Sequence, residues 1–267
     1  MLKFISLGSG SSGNCYLLYT EDYGILIDAG VGVRTLKKHL AANGLSLKQV
    51  KAVLVTHDHA DHIKAVGVLS GDLGVPVYAT PQVHEGINRN YCVSVKVKPA
   101  HVCPIQKEVP FEVGEFRVTA FEVPHDSSDN VGYSIEYGGV NFCIITDAGC
   151  VTEGLGRYIS RSNYLVLEAN HDENMLMMGP YPAYLKGRIR GGRGHLSNAA
   201  AAQALLDHAT ASLRRVWLCH LSEENNHPEL ARKTVDSALR SCGIVPGKDF
   251  ELEVLKRRVP SQIYELQ

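Results

Sequence analysis

The sequence predicts an α+β fold, specifically an αββα sandwich in which two mixed β-sheets pack face to face and are flanked by helices. Strand-like segments followed by alternating strands and helices occur twice along the chain, and this order favours two packed sheets over one doubly wound parallel sheet. No linker interrupts the 267 residues, and 45% of them are hydrophobic, which is enough for one substantial core. We therefore expect a single domain over residues 1–267.

The first half of the chain is predicted to begin as a β-meander. Glycine, serine and asparagine dominate residues 8–14 and predict a turn-rich loop between the first two strands. A short apolar run at residues 53–55 predicts a buried strand. The predicted strands are residues 2–7, 15–19, 25–28 and 53–55, and the predicted helices are residues 33–40 and 63–69.

The second half repeats the pattern with longer strands. Gly138-Gly139 predicts a two-residue hairpin turn, because both glycines can adopt positive φ angles. An alanine-rich segment begins at Asn198 and predicts a helix. The predicted strands are residues 115–123, 131–137, 140–146, 164–168 and 216–219, and the predicted helices are residues 198–208 and 229–241.

Composition limits the compartment and the partners. The seven cysteines form no CxxC pair and lie mostly in apolar runs, which is typical of buried thiols in a reducing compartment. No segment approaches the roughly 18 consecutive apolar residues of a membrane span, so we expect a cytoplasmic protein without a membrane partner. The net charge of -1 provides no global basic field, so any contact with nucleic acid requires a local patch.

The segment from Thr56 to His62 is the strongest functional signal. It places three histidines and two aspartates within six residues, directly after a predicted buried strand. Side chains alternate along a strand, so these five groups can converge only in a loop. Imidazole and carboxylate groups are ligands that zinc, manganese and iron accept. An accidental histidine-rich turn is the weaker interpretation, because the cluster is dense and follows a strand.

Three later segments also end an apolar strand with a residue that can bind a metal. They deliver His125, Asp147 and His220. Each alone would be weak evidence, because a single histidine at a strand end is more often a structural hydrogen-bonding residue than a ligand. Together with the first cluster, they predict a metal centre.

With these motifs, the sequence resembles the metallo-β-lactamase superfamily, whose pattern is HxHxDH, His, Asp and His in this order. The resemblance implies two divalent ions per chain, of zinc, manganese or iron. One ion would take His57, His59 and His125, the other Asp61, His62 and His220, with Asp147 as the bridging ligand. Asp61 is also counted among the catalytic residues. Asp28, at the end of Ile27-Asp28, is implied to support the metal loop, although the residues alone equally favour a turn former.

Two further motifs resemble those of tRNase Z-like phosphodiesterases. Glu168 ends a predicted strand, and His195 lies in Gly194-His195-Leu196-Ser197-Asn198. The resemblance implies that the two residues form a proton-transfer pair, and an imidazole oriented by a carboxylate is a suitable general acid. The same segment also predicts a helix cap at Ser197 or Asn198, which is compatible with a catalytic His195.

Two glycine-containing segments are candidates for substrate binding. A run at residues 186–194 is interpreted as a loop whose arginines could clamp phosphates; a solvated surface loop is an equally good interpretation. The loop at residues 8–14 could offer backbone N–H groups to a phosphate, although an ordinary turn is the simpler alternative. The candidate substrate-binding residues are Arg188, Arg190, Arg193, Ser11 and Asn14.

The segments at residues 8–15 and 179–198 resemble the YycJ/WalJ group of the superfamily, which implies a DNA exonuclease with a link to DNA repair. We therefore predict a metal-dependent phosphodiesterase that cleaves nucleic acid, most specifically DNA, with a hydroxide activated by two metal ions. The alternative is a small-molecule hydrolase of the same fold, either a thioesterase of the glyoxalase II type or a cyclic phosphodiesterase. A non-enzymatic regulatory protein is disfavoured because the ligand set is intact.

Overall fold

The computed structural model describes residues 1–267 and contains two mixed sheets of seven strands each, together with flanking helices, which confirms the predicted fold class. The chain divides into two compact units. Unit 1 comprises Met1–Ala120, Ser127–Asn130 and Lys256–Gln267, and unit 2 comprises Phe121–Asp126 and Val131–Leu255. The single domain expected from the sequence stays a prediction.

The first sheet belongs to unit 1 and combines an antiparallel part with a parallel part. Its strands are β1 (Leu2–Gly8), β2 (Cys15–Tyr19), β3 (Gly24–Ile27), β4 (Val50–Leu54), β5 (Val77–Ala79), β6 (Val102–Pro104) and β14 (Tyr264–Leu266). Their order is β14-β1-β2-β3-β4-β5-β6. Strands β14 to β3 pair antiparallel, whereas β3 to β6 pair parallel. Consequently β3 and β4 end at the same edge of the sheet.

The second sheet is also mixed. Its strands are β7 (Phe111–Val113), β8 (Phe116–Glu122), β9 (Val131–Tyr137), β10 (Val140–Ile145), β11 (Tyr164–Glu168), β12 (Arg215–Cys219) and β13 (Glu251–Val254). Their order is β13-β12-β11-β10-β9-β8-β7. Strands β10 to β13 pair parallel, so the ends of β10, β11 and β12 meet at one edge. The β9–β10 hairpin turns through Gly138 and Gly139, whose φ angles are 55° and 82°, as the sequence predicts.

Nine helices connect these strands. They are α1 (Val33–Ala42), α2 (Ala60–Ile63), α3 (Val66–Leu73), α4 (Pro81–Arg89), α5 (Glu153–Arg161), α6 (Glu173–Met178), α7 (Ala183–Arg190), α8 (Asn198–His208) and α9 (Pro228–Ser241). The predicted helix at residues 63–69 was wrong in its continuity, because α2 ends at Ile63 and α3 begins at Val66. The Ser197 hydroxyl caps α8 by accepting from Ala200 N, which confirms the predicted cap.

Each unit has its own hydrophobic core. In unit 1, β-strand residues such as Leu17 and Val53 pack with Leu36 and Leu40 of α1. In unit 2, alternate residues of β10 to β12 pack with the alanine face of α8. All seven cysteines are free thiols; three are buried, namely Cys15, Cys143 and Cys219. None of the helices combines the length and the apolar character that crossing a bilayer requires.

Candidate metal centre

In unit 1, the predicted ligands follow the ends of two parallel strands. Asp28 comes directly after β3, and the segment from Thr56 to His62 comes shortly after β4. Asp28 has a φ angle of 59°, a left-handed conformation that is costly for a residue with a Cβ atom. Its carboxylate is fully buried and faces the histidine loop. The strand ends therefore bring these groups together, as the sequence pattern predicts.

Asp28 orients two of the imidazoles. Its Oδ2 atom accepts from His62 Nδ1 at 2.7 Å and from the Thr56 hydroxyl at 2.9 Å. Because Thr56 donates to Asp28, its oxygen must accept from His57 Nδ1, which lies 3.0 Å away. Both histidines thus carry their proton on Nδ1, and Nε2 is the atom that each can offer to a metal. This geometry favours the supporting role predicted for Asp28 over that of a simple turn former.

Asn14 links the loop at residues 8–14 to the same cluster. Its side chain is fully buried, and Oδ1 accepts from Gly10 N at 2.9 Å. Its Nδ2 donates to His62 Nε2 at 2.9 Å and lies 3.3 Å from Asp61 Oδ2. A metal bound by these two atoms would require the amide to move away from them. Ser11, in contrast, is exposed at the tip of the loop.

Gly30 explains how closely the loops approach in unit 1. A Cβ atom at this position would lie 1.6 Å from the carbonyl oxygen of Asp61, so only glycine fits. The Gly30 N–H donates to Asn14 O, and Asn14 N donates to Asp61 O. Backbone hydrogen bonds therefore fix the segment from Thr56 to His62, called the metal loop below, independently of its side chains.

In unit 2, three adjacent parallel strands end in functional residues. Asp147 follows β10, Glu168 ends β11 and His220 follows β12. Asp147 and His220 have φ angles of 54° and 53°, the same left-handed conformation as Asp28. Ligand-type atoms of Asp147, Glu168, His195 and His220 all lie within 4.8 Å of one another. The predicted convergence of these strand ends is therefore present in the structure.

Glu168 is the centre of the unit 2 cluster and is completely buried. Its Oε1 accepts from His195 Nδ1 at 2.9 Å and from His220 Nδ1 at 2.8 Å. Its Oε2 accepts from the backbone N–H groups of Ala148 at 2.8 Å and Leu196 at 3.1 Å. Burial raises the pKa of Glu168, but the charge of His195 and the hydrogen bonds from both histidines outweigh it and lower the pKa to about 2.

His195 lies just before the capped helix α8, and its side chain is 21% exposed, whereas Glu168 beside it is inaccessible. Burial lowers the pKa of His195, but the charge of Glu168 and its hydrogen bond outweigh this effect and raise the pKa above its ordinary value. Since Nδ1 is directed at Glu168, Nε2 is the atom that can exchange a proton with a bound molecule. This arrangement suits a general acid.

His125 is held by the turn that precedes His195. His125 Nδ1 lies 3.0 Å from the carbonyl oxygen of Gly194, so this nitrogen donates and Nε2 is the ligand atom. Arg193 Nε donates to the carbonyl oxygen of His125 at 3.0 Å. The sequence pattern gave no indication that these two segments, about 70 residues apart in the chain, hold each other.

The donor sets in both units fit divalent metal binding. Two ligand atoms that bind one tetrahedral zinc ion lie about 3.4 Å apart. In unit 1, His62 Nε2 lies 3.6 Å from Asp61 Oδ2. In unit 2, His125 Nε2 lies 3.7 Å from Asp147 Oδ1. The Nδ1 atoms of His57, His62, His125 and His220 all have acceptors, so that each ring presents Nε2, which is the usual arrangement of metal-binding histidines.

The basic run differs in structure from the predicted loop. Residues 183–190 form α7, and only the turn at residues 191–194 is irregular, so the prediction of a loop was wrong for Lys186 to Arg190. Arg188 forms an ion pair with Asp126, Arg190 contacts the Met177 sulfur and Arg193 holds the His125 carbonyl. The prolines and glycines in and around this segment lower its helix propensity, and the sequence therefore did not predict the short helix. Gly187 within it is exposed, and a Cβ atom there would contact nothing.

The comparison with known proteins identifies the family. Residues 23–221 match the Beta-lactamase superfamily domain. The chain belongs to this superfamily. It is 33% identical to exodeoxyribonuclease YycJ of Bacillus anthracis, with 98% of each chain covered. It is also 33% identical to exodeoxyribonuclease WalJ of Streptococcus pneumoniae, with 94% of this chain and 93% of the relative covered.

The fold comparison agrees with this assignment. The metallo-β-lactamase fold protein YhfI from Bacillus subtilis superposes with a TM-score of 0.72 at 18% identity, over 99% of this chain and all of that one. The family match and the two relatives confirm the resemblance to the YycJ/WalJ group and to the β-lactamase superfamily, and the protein is a hydrolase of this superfamily with histidine and aspartate clusters able to bind metal.

The sequence analysis missed three asparagines that support the cluster of Asp147, Glu168, His195 and His220 in unit 2. Asn170 Nδ2 donates to the carbonyl oxygen of His220 at 2.9 Å. Asn226 Nδ2 donates to the Ala169 and Asn170 carbonyl oxygens and to Asn198 Oδ1. All three asparagines are buried. The position of Asn170, two residues after Glu168 at a strand end, was the available signal.

Proposed function

We propose that this hydrolase is a metal-dependent phosphodiesterase and, more specifically, a DNA exonuclease. The observation that carries the proposal is the pair formed by His195 and Glu168, with a bond of 2.9 Å, beside Asp147 and His220. The names of the YycJ and WalJ relatives support DNA as the substrate. On the superfamily pattern, one ion would take His57, His59 and His125, the other would take Asp61, His62 and His220, and Asp147 would bridge them.

The chemistry divides between metal ions and protein groups. Two divalent ions, of zinc, manganese or iron, would supply a water nucleophile at neutral pH and offset the charge on the phosphoryl oxygens. Asp28 and Glu168 keep the Nδ1 protons on the ligand histidines and so hold the rings in the binding orientation. We also assign Asp61 as a catalytic residue, because its Oδ2 atom lies 3.6 Å from His62 Nε2 in the proposed metal site.

His195 completes the reaction. As the water oxygen bonds to phosphorus, the bond from phosphorus to the leaving oxygen breaks, and that oxygen needs a proton. We assign this proton to His195 Nε2, because Nδ1 is occupied by Glu168 and the charge of Glu168 raises the pKa of the imidazole, which favours its protonated form. Glu168 is a positioning residue, since it is completely buried. The arginines at 188, 190 and 193, and Ser11 with Asn14, are proposed to contact or position the substrate.

The test compares substrate classes in one experiment. Metal-reconstituted protein is incubated with end-labelled duplex DNA, single-stranded DNA, RNA and S-lactoylglutathione. We expect mononucleotide release from DNA, with activity lost in Asp147→Asn and retained in Asp207→Asn, a matched change at an exposed position. Cleavage of the thioester without cleavage of any nucleic acid would overturn the proposal in favour of the small-molecule hydrolase.

A further inference from the structure

The end of β1 is where three segments of unit 1 meet. Ser9 N donates to the carbonyl oxygen of Arg257 at 3.1 Å, and Ser261 N donates to Ser6 O at 2.9 Å. His39 Nδ1, in α1, lies 2.8 Å from the carbonyl oxygen of Leu7. The segment at residues 256–261 and helix α1 are therefore both fixed beside the loop at residues 8–14.

Gly8 shows how close this packing is. A Cβ atom on Gly8 would lie 2.9 Å from Val31 Cγ2, just before α1, and 3.5 Å from the Arg257 carbonyl oxygen. The same loop reaches the metal ligands through Asn14, which contacts Asp61 and His62. The loop thus joins the metal loop to both flanking segments.

The two flanking segments carry only positive charge. Helix α1 contains Arg34, Lys37 and Lys38 and no acidic residue, and residues 254–264 contain three lysines or arginines and no acidic residue. In α1, Leu36 and Leu40 are buried, which places Arg34 on the opposite, exposed face. Lys256 and Arg258 are also exposed. Asp28, Asp58 and Asp61 at this end of the sheet belong to or support the metal loop, and Glu85 of α4 forms an ion pair with Arg89.

The opposite end of the sheet carries charges of both signs, including Lys48 and Lys51 near the start of β4. Glu265 lies 3.6 Å from Lys3 at the beginning of β1, and Glu21 and Asp22 occupy the β2–β3 turn. A strand of seven residues such as β1 is about 20 Å long, which is beyond the Debye length at physiological salt. The net charge of -1 is a sum over the whole chain, and α1 with residues 256–258 gives the metal-loop end of unit 1 a local group of basic residues.

We propose that Arg34, Lys256 and Arg258 form a phosphate-binding surface that holds the backbone of the nucleic-acid substrate beside the metal loop. The inference rests on the proposed nuclease function and adds a surface in unit 1 to the arginines of unit 2. Backbone phosphates spaced along a strand need several separated cations, whereas a small substrate would need only the groups next to the metals. The surface confers affinity and takes no part in bond cleavage.

The test uses Lys256→Ala/Arg258→Ala and leaves Arg257 unchanged, because Arg257 is only partly exposed. The matched control is Lys48→Ala/Lys51→Ala, which removes the same charge from two exposed positions near the start of β4, at the other end of the sheet. Binding of a fluorescent duplex DNA to metal-chelated protein is measured by anisotropy between 50 and 300 mM salt. Thermal melting checks that all variants are folded.

We expect the slope of log affinity against log salt concentration to become less steep by about 1.8 in the Lys256/Arg258 variant, since each phosphate contact contributes about 0.9. Adding Arg34→Ala should remove about 0.9 more. The control should keep the wild-type slope. On bis(4-nitrophenyl) phosphate, metal-loaded wild-type and variant proteins should turn over equally, because this diester is too small to reach the surface.

The outcomes separate this inference from the proposed function. A wild-type enzyme that cleaves DNA, with a slope that is the same in the Lys256/Arg258 variant, overturns the surface and leaves the nuclease intact. An equal reduction in the control overturns it too, because the effect would then come from net charge. A wild-type protein that neither binds nor cleaves DNA overturns both.

Discussion

Replacing Glu168 with glutamine tests the centre of the site, because the two side chains have the same shape but different hydrogen-bonding groups. Four donors point at the carboxylate: two imidazole nitrogens at Oε1 and two backbone N–H groups at Oε2. The backbone groups cannot become acceptors. The glutamine oxygen must therefore face Ala148 and Leu196, and its NH₂ group must face the histidines.

This orientation predicts a specific chemical defect. His195 and His220 would have to accept at Nδ1, so the proton of each neutral ring would move to Nε2. His220 would then lose the lone pair that it can offer to a metal, and a neutral His195 would be favoured over the protonated form. We therefore expect Glu168→Gln to reduce both metal content and turnover, with a larger effect than the loss of a residue that orients His195 alone.

The expected loss of stability follows from the pKa of Glu168. A fall from 4.5 to about 2 corresponds to about 3 kcal/mol in favour of the folded, ionised form, at about 1.4 kcal/mol per pKa unit. Because the folded pKa is lowered, this stability is present above the unfolded value near 4.5 and is lost as the pH falls towards 2. We expect Glu168→Gln to lower the free energy of unfolding by about 2–3 kcal/mol at pH 7, and by progressively less in acid.

Denaturant unfolding of metal-chelated protein measures this difference, and elemental analysis of reconstituted protein measures the metal content. Glu153→Gln is the matched control, because its side chain is 93% exposed and its only charged partner, Arg157, is 3.7 Å away. We expect the control to stay within about 0.5 kcal/mol of the wild type. A Glu168→Gln variant with wild-type stability and full metal content would refute the role assigned to the carboxylate.

Three further substitutions test the other parts of the site. Asp147→Ala should remove most activity and at least one of about two metals per chain, measured by elemental analysis; one tightly held ion with unchanged activity would argue against a bridging ligand. His195→Ala should keep its metals and lose about 10²–10⁴ in turnover on an ordinary phosphodiester, but much less on a nitrophenyl ester, whose leaving group needs little protonation. Alanine at all three candidate arginines of unit 2 should weaken DNA binding and flatten its salt dependence, whereas an unchanged slope would leave them as surface residues. These arginines are Arg188, Arg190 and Arg193.

The places of the candidate ligands in the fold could be predicted because the information is local. An apolar run predicts a strand, and a histidine or aspartate at its end predicts where that side chain emerges. Parallel pairing then places the ends of β10, β11 and β12 at one edge, so Asp147, Glu168 and His220 converge without any long-range detail. The same reasoning located the strands 15–19, 131–137 and 164–168 at their observed bounds.

The hydrogen bonds that orient these side chains could not be predicted from the sequence. The second histidine on Glu168 lies 52 residues away, and the carbonyl that orients His125 lies 69 residues away. Neither spacing has a local pattern. Helices α4 to α7 were also missed, since all four are short and α4, α5 and α7 contain glycine or proline, which lower helix propensity. Helices α4, α5 and α6 each begin at a capping side chain and bury apolar residues, whereas α7 has neither a side-chain cap nor a buried residue.

Three of the four non-glycine residues with a positive φ angle lie in the candidate site, where they link its geometry to the folding of the strand ends. Asp28, Asp147 and His220 each follow a strand with φ between 53° and 59°, a conformation that costs on the order of 1 kcal/mol or more without glycine. Glycine would relieve this strain but would remove the functional side chain. The compensation comes from the groups that also orient the site: the Asp28 carboxylate accepts from Thr56 N, Glu168 accepts from the N–H after Asp147, and Asn170 donates to the His220 carbonyl. The residues around the candidate ligands therefore stabilise the strained backbone as well as orient the imidazole rings. We expect the loss of one of these supporting residues to disturb the backbone at the strand end as well as the orientation of the ring.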